Sequence, residues 1–162
     1  MEPNPDGVIR EGILAPLVAH NDGAAGPGDW GLLAITVRNS GDEIVGGLWG
    51  RTGYGFLFVE LLALGSARGN GLGRQVMAMA EAEAGKRGLS GIWLDTWTFQ
   101  APEFYRGLGF EECGRIRDYP PGHDRIFFVK RLTPPGTGGP PTAQNFRTSG
   151  AGATGADGVP KT

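Results

Sequence analysis

Residues 56–74 read FLFVELLALGSARGNGLGR, and these nineteen positions hold a strand, a glycine-rich turn and the opening of a helix. The first nine are apolar apart from Glu60, the run expected of a strand covered on both faces. From Leu72 onward, Leu72, Val76, Met79 and Ala80 share a helical face, and Gly85 or Gly88 marks the end of that helix near Arg87. Between the two, Gly69, Gly71 and Gly73 allow a close backbone approach. The first-turn amides there are unpaired, and the helix dipole favours negative charge. Arg68 and Arg74 flank the turn, placed to meet phosphate oxygens from the side. The stretch is a seat for an anion.

The residues after the glycines narrow the choice of anion. A phosphate-binding P-loop needs lysine and then serine or threonine at the helix start, where this chain has Arg74-Gln75. A dinucleotide fingerprint needs glycine or alanine three residues after its second glycine; counted from Gly69 and Gly71, that position is Arg74. Asp95 stands near the right distance downstream, but a hairpin upstream of the turn does not belong in a doubly wound sheet. On these residues alone, a tight β-to-α turn without a ligand stays open.

Outward from the turn, the hydrophobic period alternates between strand and helix. Residues 8–10 read as a short first strand, and 11–21 as a helix with Ile13, Leu14, Leu17 and Val18 at helical spacing, stopped by Asn21-Asp22-Gly23. Residues 30–38 and 44–51 form a hairpin about the turn residues Asn39-Ser40-Gly41-Asp42. Downstream, 91–97 is a strand and Ala101-Pro102-Glu103 opens a short helix, with proline tolerated in the first turn. Residues 110–117 and 125–132 are the last two strands. The class is α+β with a mostly antiparallel sheet.

Composition bounds the rest. A chain of 162 residues and 17.0 kDa holds one domain with a proper core. The expected domain is 1–132. Residues 133–162 hold seven glycines, five prolines and six threonines, with Phe146 and Val159 almost alone as large apolar groups, and are expected to form a flexible tail. A formal charge of -2 leaves no basic face for nucleic acid. No apolar run reaches bilayer length and no signal peptide opens the chain, so a cytoplasmic protein without membrane contact is expected. The single cysteine, Cys113, reads as a buried inert thiol, and the two histidines, His20 and His123, lie too far apart for a zinc site, so no metal is expected. Trp30, Trp49 and Trp93 read as core.

Arg68-x-x-Gly71-x-Gly73, after a strand and before a helix, resembles the Arg/Gln-x-x-Gly-x-Gly/Ala signature of the GNAT N-acetyltransferases. A second stretch, Gln100-Ala-Pro-Glu-Phe-Tyr-Arg-Gly-Leu-Gly-Phe110, resembles that family's closing segment, in which Phe104-Tyr105 leads into Leu108-Gly109-Phe110 and the sixth strand. The family often has asparagine where Gln100 stands. The resemblance spans about residues 8–132, and the Tyr119-Pro120-Pro121-Gly122-His123 loop is similar to loops of other small members. It implies a six- to seven-stranded mixed sheet with helices on both faces, the fourth and fifth strands (56–64 and 91–97) splaying apart.

The same resemblance implies acetyl-CoA as co-substrate and an amine as acceptor. Backbone groups of Leu62, Ala63 and Leu64 would pair with the pantetheine arm like an added strand, one amide facing the thioester oxygen. Amides of Gly69, Asn70, Gly71, Leu72, Gly73 and Arg74 would hold the pyrophosphate, with Gln100 and Phe104 beside the cofactor. Tyr105 matches the family's general acid, a phenol that protonates the departing thiolate; the plainer reading is a core aromatic. Glu60, two residues before Leu62 and so expected on the same face, is a candidate base, acting through water, or a contact for a cationic amine. A carboxylate facing solvent or a structural arginine is the alternative. Asp95 and Trp97, one face of one strand, and His123 in the Pro120-Pro121 loop are candidates for the acceptor pocket. The expected acceptor is a small-molecule amine drawn by acidic groups. A protein amine, or a sensor that binds acyl-CoA without turnover, is the other reading, and a homodimer is open.

Overall fold

The hairpin and the strand after it form an antiparallel meander. Its strands are β1 (Gly31–Arg38), β2 (Ile44–Gly53) and β3 (Phe56–Ala63), in a computed structural model that describes residues 3, 4, 6–65 and 71–133. The first turn is held by Asn39, whose side-chain oxygen accepts from the amides of Gly41 and Glu43. Before the meander lies α1 (Gly7–Ala25); after it come α2 (Leu72–Lys86), β4 (Gly91–Trp97), α3 (Pro102–Arg106), β5 (Glu111–Ile116) and β6 (Arg125–Arg131). The six strands make one sheet in the order β1-β2-β3-β4-β6-β5, antiparallel except for β3 against β4.

Residues 8–10 are the first turn of α1 rather than a strand. Asp6 accepts from the Ile9 amide and caps the helix, which satisfies an otherwise unpaired donor and starts the helix early. The helix also runs past Asn21-Asp22-Gly23 to Ala25, where Gly26, at φ 78°, returns its amide to the Asp22 carbonyl. No residue of α1 is buried, and Ile13 and Leu17 stand in the open.

The core lies between one face of the sheet and α2. Leu57 and Val59 of β3, Ile92 and Leu94 of β4, and Ile126 and Phe128 of β6 point to this face and are buried against Val76, Met77, Ala80 and Ala84. Each such side chain contributes about 1.5–3 kcal/mol. Met77, not Met79, is the buried methionine, so the buried stripe of α2 sits beside the one read from the sequence. The helix ends in a Schellman motif: Leu89 bonds back to Ala84 and Gly88, at φ 71°, bonds to Gly85. Tyr105 of α3 joins the same core.

The opposite face is half-open. Phe58 and Trp93 stack there with ring centroids 3.8 Å apart. Trp49 projects from this side of β2 and Trp30 lies in the loop before β1; both are exposed rather than core, because Leu48 takes the inward position beside Trp49. Cys113 is also exposed, at a bulge of β5, the edge strand of the sheet.

One irregularity prepares the site. Gly50 pairs with Val59 but Trp49 pairs with Leu61, so Glu60 is an extra residue in β3, a β-bulge. The bulge changes the alternation. Val59 and Leu62 both face the core, and Glu60 faces the other way, so Glu60 and Leu62 do not share a face as strict alternation had required. Beyond the bulge β3 leaves β4: their parallel pairing covers only Phe56 to Val59 and Gly91 to Leu94. The two strands splay, and the edge of β3 facing β4 is left without a strand partner.

Candidate active site

A cleft of about 680 Å³ opens at the splay. One wall is Leu62 and Leu64 from the far arm of β3; the floor is the start of α2, from Gly71 to Arg74; Thr96, Phe99, Gln100, Ala101 and Phe104 close the other side. Eight of the twelve residues assigned to the cofactor from the sequence therefore meet here: Leu62, Leu64, Gly71, Leu72, Gly73, Arg74, Gln100 and Phe104. Ala63 lies between the two leucines, facing away and exposed. Arg68, Gly69 and Asn70 lie outside the described residues, as does 134–162 of the expected tail.

Each part of the cleft has a local cause. Gly71 sits at φ 75°, a left-handed turn that only glycine adopts without strain, and it swings the chain from the strand into α2. Among the described residues no side chain caps this helix, and the first intrahelical bond is from Gln75 to the Gly71 carbonyl. The amides of Leu72, Gly73 and Arg74 border the cleft without partners among the described residues, a site that favours an anion. Gly73 allows α3 to close in: a Cβ there would lie 3.0 Å from Phe104 Cζ and 3.2 Å from Leu64 Cδ1. Arg74 donates to the Gly107 carbonyl and ties the two helices together.

Gln100 has a structural duty as well as a place in the wall. Its amide oxygen accepts from the Thr96 hydroxyl at 2.8 Å and from the Trp97 amide at 3.2 Å, closing the turn after β4. Thr96 is buried, and Gln100 satisfies its hydroxyl. Thr96, Phe99 and Ala101 were not among the residues read from the sequence. Only the alternation of β4, which turns Thr96 toward the cleft and Asp95 and Trp97 away, would have found Thr96.

Tyr105 lies at the back of α3, 9% exposed, among the rings of Phe104, Phe110 and Phe128. Burial pushes the phenol above its usual range, and the negative charge of Asp95 adds to the rise. At neutral pH the proton stays on.

The other candidates stand on the opposite face of the sheet, across the splay. Glu60 meets Arg51 at 2.7 Å, and the Arg51 guanidinium lies over the Phe58 ring. Asp95 meets Arg125 at 2.7 Å, its side chain only 9% exposed. The Arg125 guanidinium sits 4.9 Å over Trp97 and 5.7 Å over Phe127, and the bond to Asp95 makes it hold its proton more firmly than usual. The acidic patch expected from Glu60 and Asp95 is therefore a pair of ion pairs, each carboxylate already met by an arginine. Trp97 stacks on Phe99, and Phe99 meets His123 edge-on at 4.9 Å. The exposed His123 ring thus abuts a residue of the cleft wall.

The loop carrying His123 is tied down through Asp124. The Asp124 carbonyl accepts from the Thr98 amide at the tip of β4, and its own amide donates to the Thr98 hydroxyl. Its carboxylate accepts from the Asp118 amide and meets Arg115 at 2.7 Å. Arg115 also grips Glu112, and Arg106 links Glu112 to Glu103 of α3. Arginine neighbours hold Glu112 and Asp124 below the usual carboxylate range. Among the described residues no cluster of His, Cys, Asp and Glu is suited to a metal ion, and no helix is long and apolar enough to cross a membrane.

A bulged strand parting from its parallel neighbour, an open strand edge and an uncapped helix start facing one cleft define an acyl-CoA acyltransferase. Residues 31–112 match the acetyltransferase (GNAT) domain. Acetyltransferase Atu2258 of Agrobacterium fabrum is 38% identical over 78% of this chain and 93% of its own length. Blasticidin-S acetyltransferase of Streptomyces morookaense is 44% identical over 56% of this chain and 68% of its own. The crystal structure of an acetyltransferase from Bacillus cereus superposes with a TM-score of 0.73 at 30% identity, covering 82% of this chain and 97% of the other. The chain belongs to the GNAT acetyltransferases and is an acetyl-CoA-dependent acyltransferase.

Proposed function

We propose that this enzyme transfers the acetyl group of acetyl-CoA to the amine of a small molecule, by direct attack while both substrates are bound. The observation that carries the reading is the meeting, in one cleft, of the unpaired β3 edge and the start of α2, with Tyr105 next in the chain to Phe104 of the cleft wall. The pantetheine arm lies along Leu62, Ala63 and Leu64, and the pyrophosphate rests on the amides from Gly69 to Arg74. The amine nitrogen attacks the thioester carbon, the C–S bond breaks, and the thiolate takes the Tyr105 proton. The raised phenol suits this role because the low-polarity setting that keeps its proton on also makes a bare thiolate costly. The proton lost by the amine leaves through Glu60, His123 or water at the open face.

Blasticidin-S acetyltransferase, named for a small-molecule acceptor, supports an acceptor of that size. The tethered loop above the cleft supports it too, since a fixed rim shapes a pocket rather than a groove. The test is Tyr105→Phe with thiol release measured over an amine panel. Turnover should fall by roughly 10²-fold or more while acetyl-CoA affinity holds within about twofold. Unchanged turnover removes Tyr105 from the mechanism, and acetylation of peptides alone removes the small-molecule acceptor.

A further inference from the structure

Arg125 and Asp95 occupy a particular place relative to the cleft. The parallel ladder ends at Leu94, so Asp95, Thr96 and Trp97 form the free arm of β4. Thr96 turns into the cleft, while Asp95 and Trp97 turn to the opposite face, one strand step of about 3.3 Å away. In register, Trp97 faces Arg125 and Asp95 faces Phe127 on β6. The ion pair thus borders the opening through which an acceptor must reach a thioester held in the cleft. Arg51 and Arg131, which lie over Phe58 and Phe56 on this face, stand at levels where the sheet is still closed.

The fixed parts of this corner are donors, not acceptors. Asp95 is nearly covered and is bound by Arg125 Nε. Trp97 and Phe127 sit against the guanidinium and hold its position without using its hydrogen bonds. The side chain keeps 30% of its surface open, and of its five N–H groups one goes to Asp95 and Tyr119 stands near enough to engage another. A planar, pre-oriented guanidinium with free N–H groups at the rim of a pocket is matched by a carboxylate. An ammonium ion finds the nearest carboxylate occupied and a cation beside it.

We propose that the acceptor is an amino acid or another amine bearing a carboxylate, and that Arg125 binds the carboxylate while the amine reaches through the splay. The proposal rests on the acetyltransferase reading of the cleft and adds the acceptor class to it. Asp95 is then a positioning residue, holding Arg125 by its Nε so that the terminal nitrogens face outward.

The wild-type enzyme tests this without mutation. Thiol release is compared over pairs of amino acids and their carboxamides, where the acids should lead by roughly tenfold or more in kcat/KM. Equal rates, or a preference for the amides or for polyamines, overturn the proposal. In Arg125→Gln the acid-to-amide ratio should collapse toward one, and in Arg125→Lys part of it should return. A ratio kept in Arg125→Gln assigns the discrimination elsewhere. If no amine turns over, binding still decides: N-acetylphenylalanine should quench tryptophan fluorescence and its amide should not, Trp97 being the reporter. Acetyl-CoA binding, followed separately by calorimetry, shows whether the cofactor cleft itself has failed.

Discussion

On the face under α2, Leu57, Ile92, Leu94, Ile126 and Phe128 are sealed from water within the core. On the opposite face Phe58, Trp93, Trp97 and Phe127 lie half-open beneath the guanidinium groups of Arg51 and Arg125. The strands are the same, and only the parity of the residue differs. The sealed face sets the stability and positions the backbone of the cleft. The open face carries charge and flat rings. Stability depends on this side less than on the sealed one.

That division can be broken by mutation. The largest effect is expected from Phe128→Ala, which empties the sealed face and should cost about 3–5 kcal/mol in urea unfolding. A loss no larger than that of an outer-face ring would erase the distinction. Gly71→Val forces a branched side chain into a left-handed turn and should cost about 1–2 kcal/mol. It should also weaken acetyl-CoA binding in calorimetry, because the amides of the helix start would no longer be held in place. Phe58→Ala, on the open face, should cost about 1 kcal/mol beyond its modest burial, through loss of the Trp93 stack.

The smallest effect concerns the surface ion pairs. Glu112 and Asp124 titrate lower folded than unfolded, so their contribution is present above the ordinary carboxylate pKa, near 4, and fades as pH falls below it. Arg115→Gln removes the main partner of both. The drop in melting temperature between pH 7 and pH 3 should therefore be smaller in the variant than in the wild type. An unchanged drop would mean that these exposed pairs add nothing, as many surface pairs do not.

The cleft and the ion pairs of the open face differ in how far the sequence announces them. The cleft is local: strand, glycines and helix follow each other within nineteen residues, so a short motif describes it. Gln100, Phe104 and Tyr105 come from a second short motif. The open-face ion pairs depend on register. Nothing near Asp95 in the chain says that Arg125, thirty residues on, will meet it across two strands, or that Arg51 will meet Glu60. Strict alternation also misplaced Glu60, because an extra residue in one strand shows itself only when its partner is known. The tryptophans failed as core markers for a related reason: Trp49 and Leu48 are equally apolar neighbours, and only the position of α2 decides which one is covered.

The extra residue in β3 also bears on how this enzyme tolerates change. Before Glu60 the odd-numbered positions 57 and 59 supply the interior; after it the even-numbered 62 and 64 do. The strand is a text whose reading frame shifts at one inserted letter, with the sheet's interior written in the first frame and the cleft wall in the second. Exchanging that letter alters one ion pair. Deleting it would leave Leu61, Leu62 and Ala63 opposite Trp49, Leu48 and Gly47 in an unbroken alternation, whereas keeping it and straightening the bulge would turn Leu62 and Leu64 to water and Leu61 and Ala63 inward.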